Sequence, residues 1–240
     1  MILISQPNLL FLKPRKVAGT SFEIALSNFT DDTSIITPIT DTDEAIRASL
    51  SFRGPQNYHM SIVEVMKTCN LGIWKELIQN RKPLKFWNHI PATLVKERLG
   101  HSQWSSAFKI SIVRNPYDMA ISRYFFTTQT VDYSPQDFEN FCVSQGTAFK
   151  QNLEQYFIGH EEIIDFYIKY ESINDDILKL ENQFNELKGL SDIFSRIKAK
   201  GQFRPPNAIA GEMFAQAPLA KKIITETCRF EIEKFGYESP

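Results

Sequence analysis

Short apolar runs and amphipathic stretches alternate along the first part of the chain. Residues 9–12 are all apolar and are followed by Lys13 and Pro14, which predicts a buried strand that ends there, because proline cannot continue a hydrogen-bonded ladder. Residues 17–28 carry apolar side chains at near-helical spacing around Gly19 and beyond it. The pattern therefore predicts a strand, a basic loop and a helix, in that order.

The same arrangement recurs in the middle of the chain. Residues 108–113 alternate in polarity and include β-branched side chains, which predicts a second buried strand ending at Arg114. A third strand is predicted at residues 163–170, whereas the polar segment 30–53 is predicted to be mainly a surface excursion. Helices are predicted at residues 17–28, 43–50, 92–99, 117–127, 137–143, 153–157, 177–190 and 219–235.

Strands that alternate with helices are typical of the α/β class, with a central, mainly parallel sheet flanked by helices on both faces. The 240 residues are 42% hydrophobic and contain no low-complexity stretch. This is enough apolar material for one full core. We therefore expect a single domain that spans residues 1–240.

Composition disfavours several classes of protein. The formal net charge is -1, so no overall basic character suggests nucleic acid or an anionic membrane as a partner. No apolar run is long enough for a membrane span, and the N-terminal apolar residues precede the basic ones, unlike a signal peptide. The three cysteines are far apart and lack metal-type spacing, so we expect them to be core residues. These features predict a cytoplasmic protein.

The loop after the first predicted strand has the composition of a phosphate-binding loop. Arg15 and Lys16 precede Gly19, and Thr20 and Ser21 open the following helix. The N–H groups and dipole of a helix N-terminus favour an anion, and a glycine lets a phosphate approach the backbone. The loop is not a Walker A motif, in which the lysine follows the second glycine. The alternative interpretation is an ordinary basic loop whose helix is capped by Thr or Ser.

A second candidate anion site follows the second predicted strand. Arg114 opens the segment RNPYD, and Ser122 lies two helical turns further on. An arginine offers a planar fork of donors to a phosphate, and the serine can add a hydroxyl. Loops at the carboxyl ends of parallel strands face the same ligand. One anionic ligand could therefore span both loops.

Together these segments resemble the sulfotransferases that use 3'-phosphoadenosine-5'-phosphosulfate (PAPS), a group that includes Golgi carbohydrate sulfotransferases and many bacterial relatives. Residues 16–22 (KVAGTSF) are similar to the family's 5'-phosphosulfate loop, and RNPYD with Ser122 is similar to its 3'-phosphate motif. Residues 230–237 (FEIEKFGY) are similar to the ending of many members. Segments 30–80 and 130–195 match nothing recognisable.

The resemblance implies a three-layer P-loop-like fold and transfer of a sulfuryl group from PAPS to a hydroxyl or amine, without a metal. The acceptor, a glycan or small molecule, is not identified. Lys16 is expected to stabilise the leaving phosphate as a catalytic residue, and Arg114 and Ser122 to hold the 3'-phosphate. The full expected set of nucleotide-binding residues is Arg15, Lys16, Ala18, Gly19, Thr20, Ser21, Arg114, Ser122, Lys200 and Arg204, the last two from a late basic loop.

Transfer to a hydroxyl requires a general base, and histidine is the usual residue near neutral pH. His89, in the segment NHIPA, occupies a position where related sequences carry a similar segment, so it is the predicted base. The alternative is that His89 only caps its helix. His59 precedes another amphipathic stretch and is the rival candidate, whereas His101 and His160 are expected to be solvated.

Two other functions stay open at this stage. A kinase-like, nucleotide-dependent phosphotransferase would use a similar loop, but it needs a Walker lysine and magnesium-binding carboxylates, and the sequence has neither in position. A catalytically silent nucleotide-binding module would keep the loop and differ only in whether Lys16 and His89 converge on an acceptor. Sequence alone does not separate this module from the enzyme.

Overall fold

The computed structural model describes residues 1–68, 71–79, 82–130, 133–197, 204–206 and 208–240. The strands are β1 (Ile2–Ile4), β2 (Leu9–Phe11), β3 (Ile35–Ile36), β4 (Phe108–Val113), β5 (Phe157–Ile158), β6 (Glu161–Glu162) and β7 (Phe166–Lys169). The helices are α1 (Gly19–Ser27), α2 (Asp41–Ser49), α3 (Ile62–Met66), α4 (Leu71–Ile78), α5 (Ala92–Leu99), α6 (His101–Ser106), α7 (Pro116–Thr128), α8 (Pro135–Gln145), α9 (Leu153–Tyr156), α10 (Ile173–Gln183), α11 (Leu190–Arg196), α12 (Ala210–Ala215), α13 (Pro218–Thr227) and α14 (Arg229–Phe235). Short 3₁₀ helices lie at Gly146–Asn152, Tyr170–Ser172 and Asn185–Leu187.

Within the described residues, five strands form one mixed sheet in the order β3-β1-β2-β4-β7. β2 pairs with β4 and β4 with β7 in parallel, because helices connect these strands. β1 pairs antiparallel with both β2 and β3. The expectation of a mainly parallel sheet is therefore wrong in this half, where the short connection between β1 and β2 can only return the chain antiparallel.

Helices pack against both faces of this sheet. Successive side chains of a strand point to opposite faces. Leu9 and Phe11 of β2 pack with α1, α10 and α11, whereas Leu10 packs with α5 and α6 on the other face. A third apolar cluster joins α7, α8, α12 and α13 beside the sheet. The first two clusters confirm an α/β architecture with a sheet flanked by helices.

Most predicted elements are present, and the exceptions have local causes. The strand at 108–113 and the helices near 17–28, 43–50, 92–99 and 117–127 are confirmed. The predicted helix at 219–235 is interrupted at Cys228, the C-cap of α13. Cys142 and Cys228 are buried, as expected, and Cys69 lies outside the described residues.

The segment 30–53 is less exposed than its polarity suggested. It contributes β3 to the edge of the sheet, and the Arg47 side chain of α2 is fully buried. Nη1 of Arg47 donates to both carboxylate oxygens of Glu44 at 2.9 Å. The prediction of a surface excursion is wrong for this part, because a polar sequence can be buried where its charges are paired.

Candidate functional site

Three loops meet at one edge of the sheet. β2, β4 and β7 are parallel neighbours, so their carboxyl ends lie side by side. The chain leaves these ends through the loop with Lys16, through Arg114 and through Tyr170. This is the edge where open α/β sheets bind ligands. The two predicted anion loops are thus neighbours, and Tyr170 is a third component that the sequence analysis missed.

Two adjoining cavities lie between these loops. Their volumes are about 360 Å³ and about 500 Å³, within the range of small-molecule sites. Lys16, Arg114, Ser122 and Tyr170 line both cavities, so the two share a wall. Of the other predicted site residues, the first cavity is lined by Arg15, Ala18, Gly19, Thr20, Ser21 and His89, and the second by Arg204. Lys200 lies outside the described residues.

The backbone of the predicted phosphate-binding loop after β2 enters the left-handed region of backbone conformation twice. Lys16 has φ 63° and Ala18 has φ 61°. Residues with a β-carbon adopt this conformation at a cost of about 1–2 kcal/mol each. Such strain is concentrated at functional sites, and loops with left-handed residues can turn successive N–H groups toward one anion. The loop is therefore held in a shape that suits an anion.

No side chain caps the first turn of α1. The N-cap is Ala18, so the Thr or Ser cap that the alternative interpretation invoked is wrong. The hydroxyls of Thr20, Ser21 and Ser122 make no hydrogen bond to another described residue. The first N–H groups of a helix lack partners within the helix and carry the positive end of its dipole. These donors together form a wall of the first cavity.

We expect Ala18→Gly to raise the free energy of unfolding by about 0.5–1 kcal/mol, because glycine removes the left-handed penalty but adds freedom to the unfolded chain. Urea unfolding measures this as a higher midpoint with an unchanged slope. The matched control is Ala45→Gly in the exposed middle of α2. That change is expected to lower stability by about 1 kcal/mol. A loss of stability in both variants would contradict the strain at Ala18.

Gly19 lies directly over a buried ion pair. A β-carbon at Gly19 would approach Cγ of Lys13 to 3.0 Å, so a larger residue here would require the buried Lys13 side chain to shift by a few tenths of an ångström. Nζ of Lys13 lies 2.7 Å from Oε2 of Glu23, and neither side chain is more than 1% exposed. Burial by itself raises the pKa of Glu23. The charge of Lys13 and of other positive groups nearby lowers this pKa by more, so that it is about 2. The pair therefore anchors the start of the loop to α1.

A buried amide fixes the same loop from another side. The backbone N–H of Arg15 donates to Oδ1 of Asn152 at 2.8 Å, and Nδ2 of Asn152 donates to the carbonyl oxygen of Arg15 at 3.1 Å. Asn152 therefore satisfies both backbone groups of Arg15, as a neighbouring strand would. Its Nδ2 also lies 3.3 Å from Sδ of Met119 on α7. The sequence gives no local signal for this contact, which spans 137 residues.

Arg114 connects the two predicted loops. Its Nη1 donates to the carbonyl oxygen of Lys16 at 3.0 Å, and its Nε donates to Oδ2 of Asp118 at 2.8 Å. The guanidinium also stacks on Tyr170, 4.0 Å from the ring centroid. These contacts fix the plane of the guanidinium. One N–H on each terminal nitrogen has no partner among the described residues, so a fork of two donors is left for a ligand.

Asp118 bridges Arg114 and Arg204. Its Oδ2 accepts from Arg114 and its Oδ1 accepts from Nη1 of Arg204. Arg204 is also held by the carbonyl oxygen of Ala208, 2.9 Å from Nε. Burial raises the pKa of Asp118, but the charge of Arg114 and the hydrogen bond from Arg204 hold it below its usual value. The carboxylate therefore stays ionised and keeps both arginines at the second cavity.

Lys16 points its ammonium group at the wall of the first cavity. Its Nζ lies 3.7 Å from the centroid of the Phe126 ring, a cation–π contact. Phe126 belongs to α7 and lines the first cavity. The backbone of Lys16 is fixed by its bond to Arg114. The ammonium is thus held between the two cavities, both of which Lys16 lines.

His89 also faces the first cavity. Its Nδ1 lies 3.0 Å from the carbonyl oxygen of Lys13, and because a carbonyl only accepts, Nδ1 carries the proton and Nε2 is the acceptor. Burial and the charge of Lys13 lower the pKa of His89 to about 3. The capping alternative is wrong, because the N-cap of α5 is Pro91 and no side chain caps that helix. His89 is therefore a neutral imidazole on the wall of the cavity.

We expect the His89 imidazole to stay neutral throughout the range from pH 5 to 8. In the unfolded chain a histidine takes up its proton near pH 6.5, so His89 contributes stability that is complete above about pH 6.5. That contribution is lost as the pH falls toward about 3. Imidazole ¹⁵N chemical shifts measured over this range test the prediction, with the same signal in urea as the control. A midpoint above pH 5 in the folded protein would contradict it.

The rival histidine lies elsewhere. Nδ1 of His59 lies 3.0 Å from the carbonyl oxygen of Lys82, and His59 lines neither cavity. His101 and His160 are exposed, as expected. Of the histidines, only His89 is therefore placed to act on a molecule in the first cavity.

In the part of the chain that is described, no group of three or more His, Cys, Asp or Glu side chains is arranged to hold a metal ion. None of the described helices combines the length and apolar character needed to cross a membrane. Comparisons of the chain with protein-family models, with curated proteins and with solved structures found no match. Function is therefore inferred from the residues of the site and their geometry.

Proposed function

We propose that the protein is a PAPS-dependent sulfotransferase whose nucleotide spans the two cavities. The observation that carries the proposal is the pair of anion-binding loops that meet on a shared wall, with Lys16 and Arg114 lining both cavities. A ligand with a single phosphate would engage one of these loops. PAPS carries a 5'-phosphosulfate and a separate 3'-phosphate, which together match two anion sites joined by a nucleoside.

Each end of PAPS has its own set of donors in this proposal. The 5'-phosphosulfate lies against the first turn of α1, where the hydroxyls of Thr20 and Ser21 have no partner among the described residues. The 3'-phosphate takes the fork of Arg114 and the hydroxyl of Ser122, with Arg204 beside it. Lys200 remains a prediction for the same group.

The chemical step needs only groups that line the first cavity. Nε2 of His89 takes the proton from the acceptor hydroxyl while the acceptor oxygen forms a bond to sulfur. The bond between sulfur and the bridging oxygen of the 5'-phosphate breaks, and that oxygen keeps the electron pair. Lys16 and the N–H groups of α1 stabilise the charge that develops there. The products are 3',5'-ADP and the sulfated acceptor, and the imidazolium returns its proton to solvent.

The low pKa of His89 is compatible with this role once the nucleotide is bound. Burial is the main cause of this low pKa, and the charges of Lys13 and, more weakly, of Arg15 lower it further. A bound group with several negative charges offsets these cations and raises the pKa toward the range of an effective base. His89 is then neutral before the reaction and basic enough during it.

The alternatives have less support. The only carboxylate that lines either cavity among the described residues is Asp118, and both of its oxygens are engaged by arginines. A kinase-like enzyme would require carboxylates available to magnesium. A silent binding module would have no need for a histidine oriented by a carbonyl beside the phosphate loop. The mixed sheet flanked by helices is compatible with the three-layer P-loop-like fold, which we propose with the function.

Calorimetric titration of the purified protein with 3',5'-ADP, 5'-AMP and ATP with magnesium tests the proposal. We expect 3',5'-ADP to bind at micromolar concentrations and 5'-AMP at least about tenfold more weakly, because only the first supplies a 3'-phosphate to Arg114. Tighter binding of ATP with magnesium, or no binding of any nucleotide, would overturn the proposal. Transfer of ³⁵S from labelled PAPS to a panel of glycans and phenols then identifies the acceptor.

A further inference from the structure

Two further arginines, Arg15 and Arg123, line the first cavity. Arg123 projects from α7, and its Nη1 donates to the carbonyl oxygen of Ala148 at 2.9 Å. Its guanidinium lies 5.3 Å from the centroid of the Phe149 ring. Arg15 lines the same cavity, and its own side chain is exposed. Neither arginine lines the second cavity, where the 3'-phosphate is proposed to bind.

α7 divides its contacts between the two cavities. Asp118 and Ser122 are one turn apart and line the second cavity, whereas Met119 and Arg123 are one turn apart and line only the first. Residues four positions apart share a helix face. The Asp118 face therefore serves the proposed nucleotide site, and the Arg123 face lines the first cavity, which His89 also lines.

The positive charges on this side are not balanced by acidic groups. No Asp or Glu side chain lines the first cavity in the described part of the chain, and neither Arg15 nor Arg123 forms an ion pair there. Burial lowers the pKa of Arg123, and the charge of Arg15 lowers it further, so the two like charges act on each other. A half-buried cation is usually paired, so Arg123, which is repelled by the exposed Arg15 at the same cavity wall, is stabilised by an anion from outside.

We propose that Arg15 and Arg123 bind an anionic group of the acceptor, so that the substrate class is a hydroxyl compound bearing a carboxylate, sulfate or phosphate. This inference rests on the proposed sulfotransferase function. The ion pair fixes one end of the acceptor and directs a hydroxyl at His89. Arg15, expected from the sequence among the nucleotide-binding residues, is thereby moved to the acceptor side, because it neighbours Arg123 and His89 and not the second cavity.

The test uses protein saturated with 3',5'-ADP, so that the nucleotide loops are filled before any other anion is added. Inorganic sulfate, methyl β-glucuronide and methyl β-glucoside are then titrated, and NMR shifts of the Arg123 guanidinium and of His89 report binding. The two sugars have the same ring hydroxyls and differ only at C6, which is a carboxylate in the glucuronide and a CH₂OH group in the glucoside. We expect sulfate to bind, and the glucuronide to bind about tenfold more tightly than the glucoside.

Arg123→Gln and Arg15→Gln are each expected to weaken sulfate binding about tenfold, and Arg123→Gln is expected to leave the affinity for 3',5'-ADP unchanged. The matched control is Arg98→Gln, since Arg98 also bonds a backbone carbonyl and stacks on an aromatic ring, that of Trp87, but lines neither cavity. If loss of the contact between Arg123 and Phe149 unfolds the Arg123→Gln variant, the Arg15→Gln variant alone tests the proposal.

The outcomes separate the inference from the function on which it rests. If 3',5'-ADP binds but sulfate does not bind to the saturated wild type, or binds equally to wild type and both variants, the acceptor inference is wrong and the proposed function stands. If a carboxylate binds and sulfate competes with it, the shared anion chemistry is supported. If 3',5'-ADP itself fails to bind the wild type, both proposals fall.

Discussion

Replacement of Glu23 by glutamine is expected to lower the free energy of unfolding by about 3–5 kcal/mol, because it leaves the buried ammonium of Lys13 without its carboxylate. The two groups lie 2.7 Å apart in the interior, directly beneath Gly19. Urea or thermal unfolding measures the loss. Lys13→Met combined with Glu23→Leu removes both charges of this pair and is expected to recover part of the stability, because the buried N-terminal ammonium, 3.5 Å from Glu23, still loses its carboxylate.

The control for this change is Glu226→Gln on α13. Glu226 faces Lys222 at 4.0 Å in an exposed ion pair, so the same chemical change there is expected to shift stability by less than about 0.5 kcal/mol. Similar effects at Glu23 and Glu226 would contradict the buried pair.

The free energy of unfolding of the wild type is also expected to depend on pH through Glu23. Since the pKa of Glu23 is lowered to about 2 from its usual 4.5, its contribution is complete above pH 4.5 and is lost as the pH falls toward 2.

Replacement of Arg114 by alanine is expected to weaken binding of 3',5'-ADP about 100-fold and to change binding of 5'-AMP far less. Arg114 keeps one N–H on each terminal nitrogen, and in the proposed complex these bind the 3'-phosphate, a group that 5'-AMP lacks. Calorimetry on the two nucleotides with each protein gives the ratio of affinities. Arg114→Lys keeps the charge but not the fork, and we expect it to recover only part of the preference.

The control for Arg114 is Arg229→Ala, which removes an exposed arginine whose contact with Glu233 is at the surface of α14. It is expected to leave both affinities unchanged. Arg114 also holds the carbonyl oxygen of Lys16, so a purely structural role would weaken 5'-AMP and 3',5'-ADP equally. An equal loss for both nucleotides would therefore contradict the assignment of the 3'-phosphate to Arg114.

The site residues that could be predicted from the sequence are those that lie in short motifs with their neighbours in the chain. Arg114 and Ser122 lie on one helix and its preceding loop, and Lys16 and Gly19 lie in one short segment between a strand and a helix. The spacing of these residues along the chain was enough to predict two anion-binding loops. The orientation of both loops toward one edge followed from the alternation of strands and helices, which the structure confirms for β2, β4 and β7.

The features that sequence analysis missed depend on distant partners. Asn152 acts on Arg15, 137 residues away, and nothing near either residue indicates the contact. Tyr170 was predicted to end a strand, but its role follows from the guanidinium stacked on its ring. β3 has two residues within a polar segment, too few to produce an alternation, and it exists because β1 offers it an edge. Tertiary pairing, not local preference, decides such elements.

Asp118 gives the second cavity a resident counterion. It offsets part of the charge of Arg114 and Arg204, while Arg114 still keeps one N–H on each terminal nitrogen. In the proposed complex, a phosphate on this fork meets two positive groups and one negative group, so a dianion is attracted more strongly than a monoanion. Since the second ionisation of a phosphate monoester lies at about pH 6, the proposed complex is expected to weaken as the solution becomes acidic.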